Sequence, residues 1–432
     1  MGKQASVELE NAFSNKPIPL KDRKSWIGIA AIYFGNTAAL SSFSSGGGLI
    51  AGLTFWQTAI AAFIATVLLL LIFFIPMGYI GAREGVNTYV IGEAAFGKKG
   101  STLATAFVIT IIPCVGWYGV QVSIAASALD QAIGGDTNLL PLFMVVLGLL
   151  FAVPAMFGVL SMSWLDYISI PAILVITVLG VVKVMNIAGF EGVFSYVPAD
   201  SQSVLWGINI MVGSLVVGAS FAPDYTRWSK NKLSDVTYSG LLGIAPPLIV
   251  LTIIGSMLAL TATTLGVEQA WNISEVLSVL GLPAIALLFV ILLQWTTNIT
   301  AAYSAGLALT NVFGWSRFWW TLIAAAVGTA LSLFGIIDHF LGFLGLLATF
   351  VSPATGVILS EYFFVSKRKF QSRKGVYWPG IAAWLIGGAA AYFIPFFIPA
   401  INGVIVAAVV YYVYHMVTGN SAKVDQTQEH VS

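Results

Sequence analysis

The stretch Phe34-Gly35-Asn36-Thr37-Ala38-Ala39-Leu40-Ser41-Ser42-Phe43-Ser44-Ser45-Gly46-Gly47-Gly48 decides the fold. It lies inside an apolar segment, residues 26–51, that is long enough to cross a bilayer, yet its Gly, Ser, Asn and Thr are weak helix formers. Lipid offers no hydrogen-bond partner to a freed backbone N–H or C=O. Irregular backbone at membrane depth therefore persists only where it is buried in protein or lines a cavity that uses those groups. A second segment, Val212-Gly213-Ser214-Leu215-Val216-Val217-Gly218-Ala219-Ser220-Phe221-Ala222-Pro223, has the same character in the other half of the chain. A matched pair of interrupted hydrophobic segments points to the binding site of a secondary transporter.

Composition agrees. Hydrophobic residues make up 58% of the 432 and charged residues 9%, against about 25% charged in a soluble domain, so an integral membrane protein in contact with the lipid bilayer is expected. The net charge of +1 gives no reason to expect a nucleic-acid partner. Cys114 is the single cysteine, which excludes an intrachain disulfide or a cysteine metal cluster. Residues 1–25 read as a polar, basic cytoplasmic tail without the apolar core of a cleavable signal peptide.

The chain reads as all-α, with twelve apolar segments at 26–51, 54–80, 101–129, 139–161, 164–186, 203–224, 236–263, 279–310, 317–336, 339–364, 378–395 and 399–417. Strand-like alternation of a β-barrel is absent. With the N-terminus inside, eighteen of the nineteen Lys and Arg fall on the cytoplasmic side, Lys3 and Lys423 among them, and only Lys183 dissents. Both termini are therefore expected in the cytoplasm, in a multi-pass protein of the cell membrane. The interrupted segments are the first and the sixth. A spacing of five predicts two inverted five-helix units, 26–186 and 203–364, followed by two extra transmembrane helices over 378–417 and a cytoplasmic tail, 418–432.

An ionisable group at membrane depth is a functional candidate, and here nearly all lie near segment ends: Asp166, Asp224, Glu361 and His415 at the inner side, Asp338 and His339 at the outer. Most such residues are satisfied by caps or water. Asp224, in Pro223-Asp224-Tyr225-Thr226-Arg227-Trp228, closes the interrupted sixth segment and is the candidate for an inner gate. So few charges favour a neutral substrate and a driving cation held by carbonyls and hydroxyls. A membrane-embedded enzyme would need converging His, Asp, Glu or Cys, so no catalytic residue is assigned.

In the third segment Cys114, Trp117 and Gln121 share one helix face. A Trp beside an amide that both donates and accepts suits a flat polar heterocycle; equally, the pair can be a core Trp with Gln joining two helices. Gly116 and Gly119 let a neighbouring helix or a ligand come close. In the eighth segment, Leu293-Gln294-Trp295-Thr296-Thr297-Asn298 sets two hydroxyls after a carbonyl three residues earlier. Thr hydroxyls commonly bond their own helix, but hydroxyls and unwound carbonyls are also what sodium takes.

The chain resembles the nucleobase:cation symporter-1 family, close to its cytosine and hydantoin permease groups, along nearly its whole length. The motifs carrying the resemblance are Gly78-Tyr79-Ile80-Gly81-Ala82-Arg83, Val115-Gly116-Trp117-Tyr118-Gly119, Pro223-Asp224-Tyr225-Thr226-Arg227 and Trp295-Thr296-Thr297-Asn298. The resemblance implies a five-plus-five inverted repeat with two extra helices. It also implies a sodium site from the carbonyls of Gly35, Ala38 and Leu293 and the hydroxyls of Thr296 and Thr297. Trp117 would stack on the substrate, Ser214 and Leu215 would contact it at the break of the sixth segment, and Asn298 would supply an amide. Cys114 stands where cytosine permeases carry Gln, with the amide instead at Gln121. Ala39 and Leu215 occupy two positions that are aromatic in the family, which leaves room for a bulkier ligand.

The expected activity is sodium-coupled uptake of a small neutral heterocycle, cytosine first and a purine next, by a protein functional as a monomer and without an organic cofactor. Proton-coupled uptake of hydantoin, allantoin or a thiamine-type pyrimidine is the alternative. An amino-acid transporter of the same fold fits Trp117 and Gln121 less well.

Overall fold

The computed structural model describes Phe13 and residues 16–418 except 136, 137, 269, 282, 283 and 395, with the side chains at 40, 159–170, 172, 274, 284–287 and 289 also outside the description. Most of the two tails, with Lys3 and Lys423, and the side chain of Asp166 thus lie outside the described residues.

The first apolar segment folds as two helices, α1 (Trp26–Thr37) and α2 (Leu40–Leu49), parted at Ala38 and Ala39. The Ser25 side chain caps α1 by accepting the Ile27 N–H. Ala38 then leaves the helical region (ψ 45°) and Ala39 is extended (φ −103°, ψ 159°), which breaks the i→i−4 ladder. One freed carbonyl, Thr37 O, accepts the Ser42 hydroxyl at 2.7 Å. The serines after the break thus replace the hydrogen bonds that lipid cannot supply.

The chain then forms α3 (Phe55–Glu84), started by a reciprocal Thr54–Gln57 capping box, and α4 (Thr88–Phe96), buried along its length. α4 falls in a stretch that the sequence marks only as a connection between apolar segments. Next come α5 (Lys98–Ala132), α6 (Leu140–Met156) and α7 (Val159–Ile187). In the second half α8 (Val204–Ser220) is followed after Phe221 and Ala222 by the single turn α9 (Pro223–Thr226). This corrects the expected position of the second break: Ser214 and Leu215 lie within continuous helix. Gly213 serves close packing instead, since a Cβ there would stand 2.4 Å from Leu344 O. Pro223, which has no N–H to donate, marks where the regular ladder stops.

The expected seventh segment is divided at Ile244 into α10 (Leu233–Gly243) and α11 (Ala245–Thr263), with Pro246 and Pro247 in the first turn of the second piece. The remaining helices are α12 (Ile273–Val279), α13 (Ala284–Phe313), α14 (Arg317–Leu333), α15 (Ile336–Val365), α16 (Trp378–Phe393) and α17 (Pro399–Thr418).

The fold is all-helical. Among the described residues six helices are long and apolar enough to cross a membrane, α3, α5, α15 and α17 together with α8–α9 and α10–α11 read as continuous spans, and shorter apolar helices accompany them. Phe63, Leu71, Ile112, Val178 and Met416 face outward, each at least half exposed. An outer surface this apolar is matched to lipid rather than water.

α2 lies against α11 so closely that a Cβ on Gly255 would fall 2.3 Å from Phe43 O, and one on Gly46 2.0 Å from Thr252 O. Neither helix can yield without moving backbone. Gly255→Ala is expected to destabilise the protein by about 1–3 kcal/mol, read as a lower Tm. Gly28→Ala, where nothing lies within 4 Å of the added Cβ, should leave Tm unchanged or slightly raised.

Candidate functional site

A cavity lies against the α1–α2 interruption, walled by α1, α2, α5, α8, α11 and α13. With its open mouth it holds about 550 Å³ of space free of atoms. α5 contributes Cys114, Trp117 and Gln121, the face expected from sequence. The Trp117 ring meets Phe340 and Phe343 edge-on, with centroids 5.9 and 5.7 Å apart, which fixes the indole plane. Gln121 is fully buried; its Nε2 donates to Ser41 Oγ at 3.4 Å, and its Oε1 has no partner among the described residues. Gly116 and Gly119 answer to helices rather than to a ligand, since added Cβ atoms would meet Phe343 at 2.7 Å and Gly328 O at 2.8 Å.

α8 contributes Ser214 and Leu215, though from unbroken helix, and the Ser214 hydroxyl is engaged with Met211 O at 2.7 Å. Two expected substrate residues stand off the wall. Ala39 is fully buried at the interruption, and Asn298 is fully buried one turn from Ala301, which does line the cavity. Both amide atoms of Asn298 lack a partner among the described residues. Its hydrogen-bonding capacity is therefore unspent.

Sequence reasoning missed Asn36, Thr37, Ser41, Ser42 and Ser45 from the interrupted segment, Phe221 from the second break and Thr300 from α13, all on the wall. Phe221 is an aromatic at the place where Leu215 seemed to leave none. The available signal was the serine run itself, read as a helix breaker and not also as a hydroxyl lining. Among the described residues lining the cavity there is no Asp, Glu, His, Lys or Arg. Such a lining, with Trp117 and Phe221 beside hydroxyls and amides, suits a neutral ligand.

Beside the cavity the structure brings together four of the five expected cation ligands. Thr296 Oγ1 lies 2.8 Å from Leu293 O and 3.2 Å from Gly35 O. Thr297 Oγ1 lies 3.3 Å from Leu293 O and 3.3 Å from Asn36 O. The fifth, Ala38, sits at the break, its N–H donating to Phe34 O at 2.7 Å. Carbonyl and hydroxyl oxygens converging from a broken helix and a continuous one are the donor set a hard monovalent cation takes. Thr297 also lines the cavity, so the oxygen cluster and the cavity share a wall.

Asp224 lies away from the cavity wall. It is buried, and its Oδ1 accepts the Thr88 N–H at 2.9 Å and the Thr88 hydroxyl at 2.8 Å, capping α4. The adjacent Tyr225 reaches Thr300 O at 3.0 Å and Ser304 Oγ at 3.1 Å, and Arg227 donates to Tyr303 OH at 3.3 Å. Together these side chains join the second break to α4 and α13.

Residues 17–419 match the family of permeases for cytosine and purines, uracil, thiamine and allantoin. The chain is 31% identical over 409 residues to the cytosine permease of Escherichia coli (strain K12), covering 93% of this chain and 94% of that one. It is 24% identical to the hydantoin permease of Microbacterium maritypicum, over 85% of this chain and 81% of that one. Among solved structures it superposes with TM-score 0.83 on Mhp1, a nucleobase-cation-symport-1 family transporter in a closed conformation with bromovinylhydantoin bound, at 22% identity and covering 95% and 96% of the two chains. The chain therefore belongs to the nucleobase:cation symporter-1 family of multi-pass membrane permeases.

Proposed function

We propose that the protein imports a neutral nucleobase, cytosine first and a purine next, by sodium symport with alternating access. The observation that carries this reading is the adjacency of two sites: an uncharged cavity with Trp117 and Gln121 on its wall, and the oxygen cluster of Gly35, Leu293, Thr296 and Thr297 that meets it at Thr297. Identity to a cytosine permease over 93% of the chain favours cytosine within the heterocycles the cavity can take.

Binding energy couples through that shared wall. A sodium ion in the oxygen cluster would hold α1 against α13, fixing Asn36, Thr297 and Thr300 on the substrate's side. Asn36 Oδ1 already accepts from the Thr300 hydroxyl at 2.6 Å, so the same residues serve both ligands. Whatever sodium adds to substrate affinity, substrate returns to sodium. Twelve spans, with α1–α2 and α8–α9 as the broken members of two inverted five-helix units, would place both sites at mid-membrane, and the protein acts as a monomer.

Both termini are assigned to the cytoplasm. In a Cys114→Ala background, whole cells bearing Glu268→Cys should be labelled by an impermeant maleimide, and cells bearing Lys369→Cys should not. The reverse pattern inverts the topology. The substrate reading is tested by thermal shift of the purified protein against nucleobases, ureides, thiamine and amino acids, with and without sodium. Stabilisation by cytosine or a purine, larger with sodium, supports it; stabilisation by amino acids alone contradicts it.

A further inference from the structure

A second dense set of polar contacts lies away from the cavity, where α4 meets the connection between α15 and α16. α4 supplies nothing to the cavity wall, yet both its ends are pinned. Its first turn is held by Asp224 through the Thr88 N–H and hydroxyl. Its last turn is held by residues 372–377: Arg373 N–H donates to Glu93 O at 3.2 Å, Tyr377 N–H to Phe96 O at 2.7 Å, and just beyond α4 Lys98 N–H donates to Arg373 O at 2.8 Å. The Ser372 hydroxyl donates to the buried Glu93 carboxylate.

The Arg373 guanidinium ties this turn to the C-terminal helices. It donates to Ala94 O, to both Glu361 oxygens at 3.1 and 3.2 Å, and to Tyr411 OH at 2.8 Å, while lying over the Tyr377 ring at 4.2 Å. Tyr411 in turn donates to Glu361 Oε2 at 2.6 Å. The Glu361 side chain is 5% exposed, so this is a desolvated, two-pronged charge pair and not a surface contact. α16 also presses directly on α4: a Cβ on Gly380 would lie 2.1 Å from Ala95 O.

We propose that Arg373 is a positioning residue for transport, holding α4 as a strut between the C-terminal pair α16–α17 and the Asp224 end of the second interrupted segment. The proposal rests on the reading that Asp224, Tyr225 and Arg227 close the cytoplasmic path. A short helix pinned at both ends is a rigid spacer, so α9 cannot swing away from Thr300 and Ser304 unless α4 moves with it. Releasing either pin releases the closure. The last two helices, which lie outside the proposed five-plus-five arrangement, thereby anchor the gate.

The test uses the full chain in inside-out vesicles, without substrate, in a Cys114→Ala background carrying Ala301→Cys as reporter on the cavity wall. Labelling by an impermeant maleimide should be about tenfold faster in Arg373→Met and in Asp224→Asn, the loss expected for a charge-assisted contact. Glu361→Gln, which keeps the shape, should accelerate labelling in the same direction and decides the matter if Arg373→Met does not fold. Acceleration in Asp224→Asn, with Arg373→Met and Glu361→Gln both at the parent rate, overturns the strut and leaves the gate standing. No acceleration in any of them overturns the gate reading, and the strut with it. A second reporter, Ser45→Cys labelled from the outer side in whole cells, should not speed up in any variant; equal acceleration there would show general loosening and refute the proposal.

Discussion

Trp117→Ala is expected to weaken cytosine binding by about tenfold to a hundredfold, because stacking a base on an aromatic face is worth about 1–3 kcal/mol. The indole lies on the cavity wall with its plane set by Phe340 and Phe343, so little ordering remains to be done when a ring arrives. Trp117→Phe keeps an aromatic face and should lose less. Gln121→Ala should cost at least as much as the Phe variant, since Gln121 Oε1 is buried without a partner among the described residues and lies on the cavity wall, free to accept from a ring N–H. A site built from such groups rejects an analogue that leaves them unpaired, so N-methylated cytosine should bind poorly. Equilibrium binding to the purified variants, with circular dichroism to confirm folding, checks this. Wild-type affinity in both Trp117→Ala and Gln121→Ala would mean that this face of α5 is only packing.

Thr296→Ala should raise the sodium Kd at least about tenfold, a coupling-sized loss of roughly 1.4 kcal/mol, and weaken cytosine binding at fixed sodium in proportion. The Thr296 hydroxyl reaches carbonyls of both α13 and α1, at 2.8 and 3.2 Å, and is fully buried. On the proposed sodium site its removal would delete one cation ligand. Thr296→Ser restores the oxygen and should restore most of the affinity. Without sodium, wild type and Thr296→Ala should bind cytosine alike; that equality separates a cation ligand from a residue that merely packs.

The first interruption was legible because weak helix formers crowd around it, although Gly35 and the serines themselves lie in helix and the ladder breaks at Ala38 and Ala39, where the Ser42 hydroxyl bonds the freed Thr37 O. The second lies at Phe221 and Ala222, not at Ser214 and Leu215. Gly213 and Ser214 look like the same signal, but Gly213 is spent on close approach to Leu344, and the ladder stops only at Pro223. Residue type alone cannot tell a packing glycine from a breaking one. The Cys114, Trp117 and Gln121 face was legible because helical spacing fixes which side chains share a side. Ala39 and Asn298, carried over from the family resemblance, fell behind the wall, since resemblance fixes position along a helix and not depth from a cavity surface. α4 was missed because the segment is short and buried on every side, so no amphipathic period shows. Its Asn87 cap, which accepts the Val90 N–H, and the Gly97 that follows it were the available punctuation. The Arg373 network was invisible for a different reason: Glu93 and Ser372, like Arg373 and Ala94, are far apart in sequence, and only the fold brings them together.

Sodium and substrate either share a wall energetically or they do not, and one titration decides it. Cytosine affinity of the purified wild-type protein is measured calorimetrically at fixed ionic strength, with sodium replaced stepwise by choline, and repeated across pH. The cytosine Kd should tighten by about tenfold, within the usual range of site-to-site coupling, as sodium saturates, the sodium Kd should tighten by the same factor with cytosine, and pH should have little effect. A cytosine affinity indifferent to sodium but following pH would contradict the sodium-symport account.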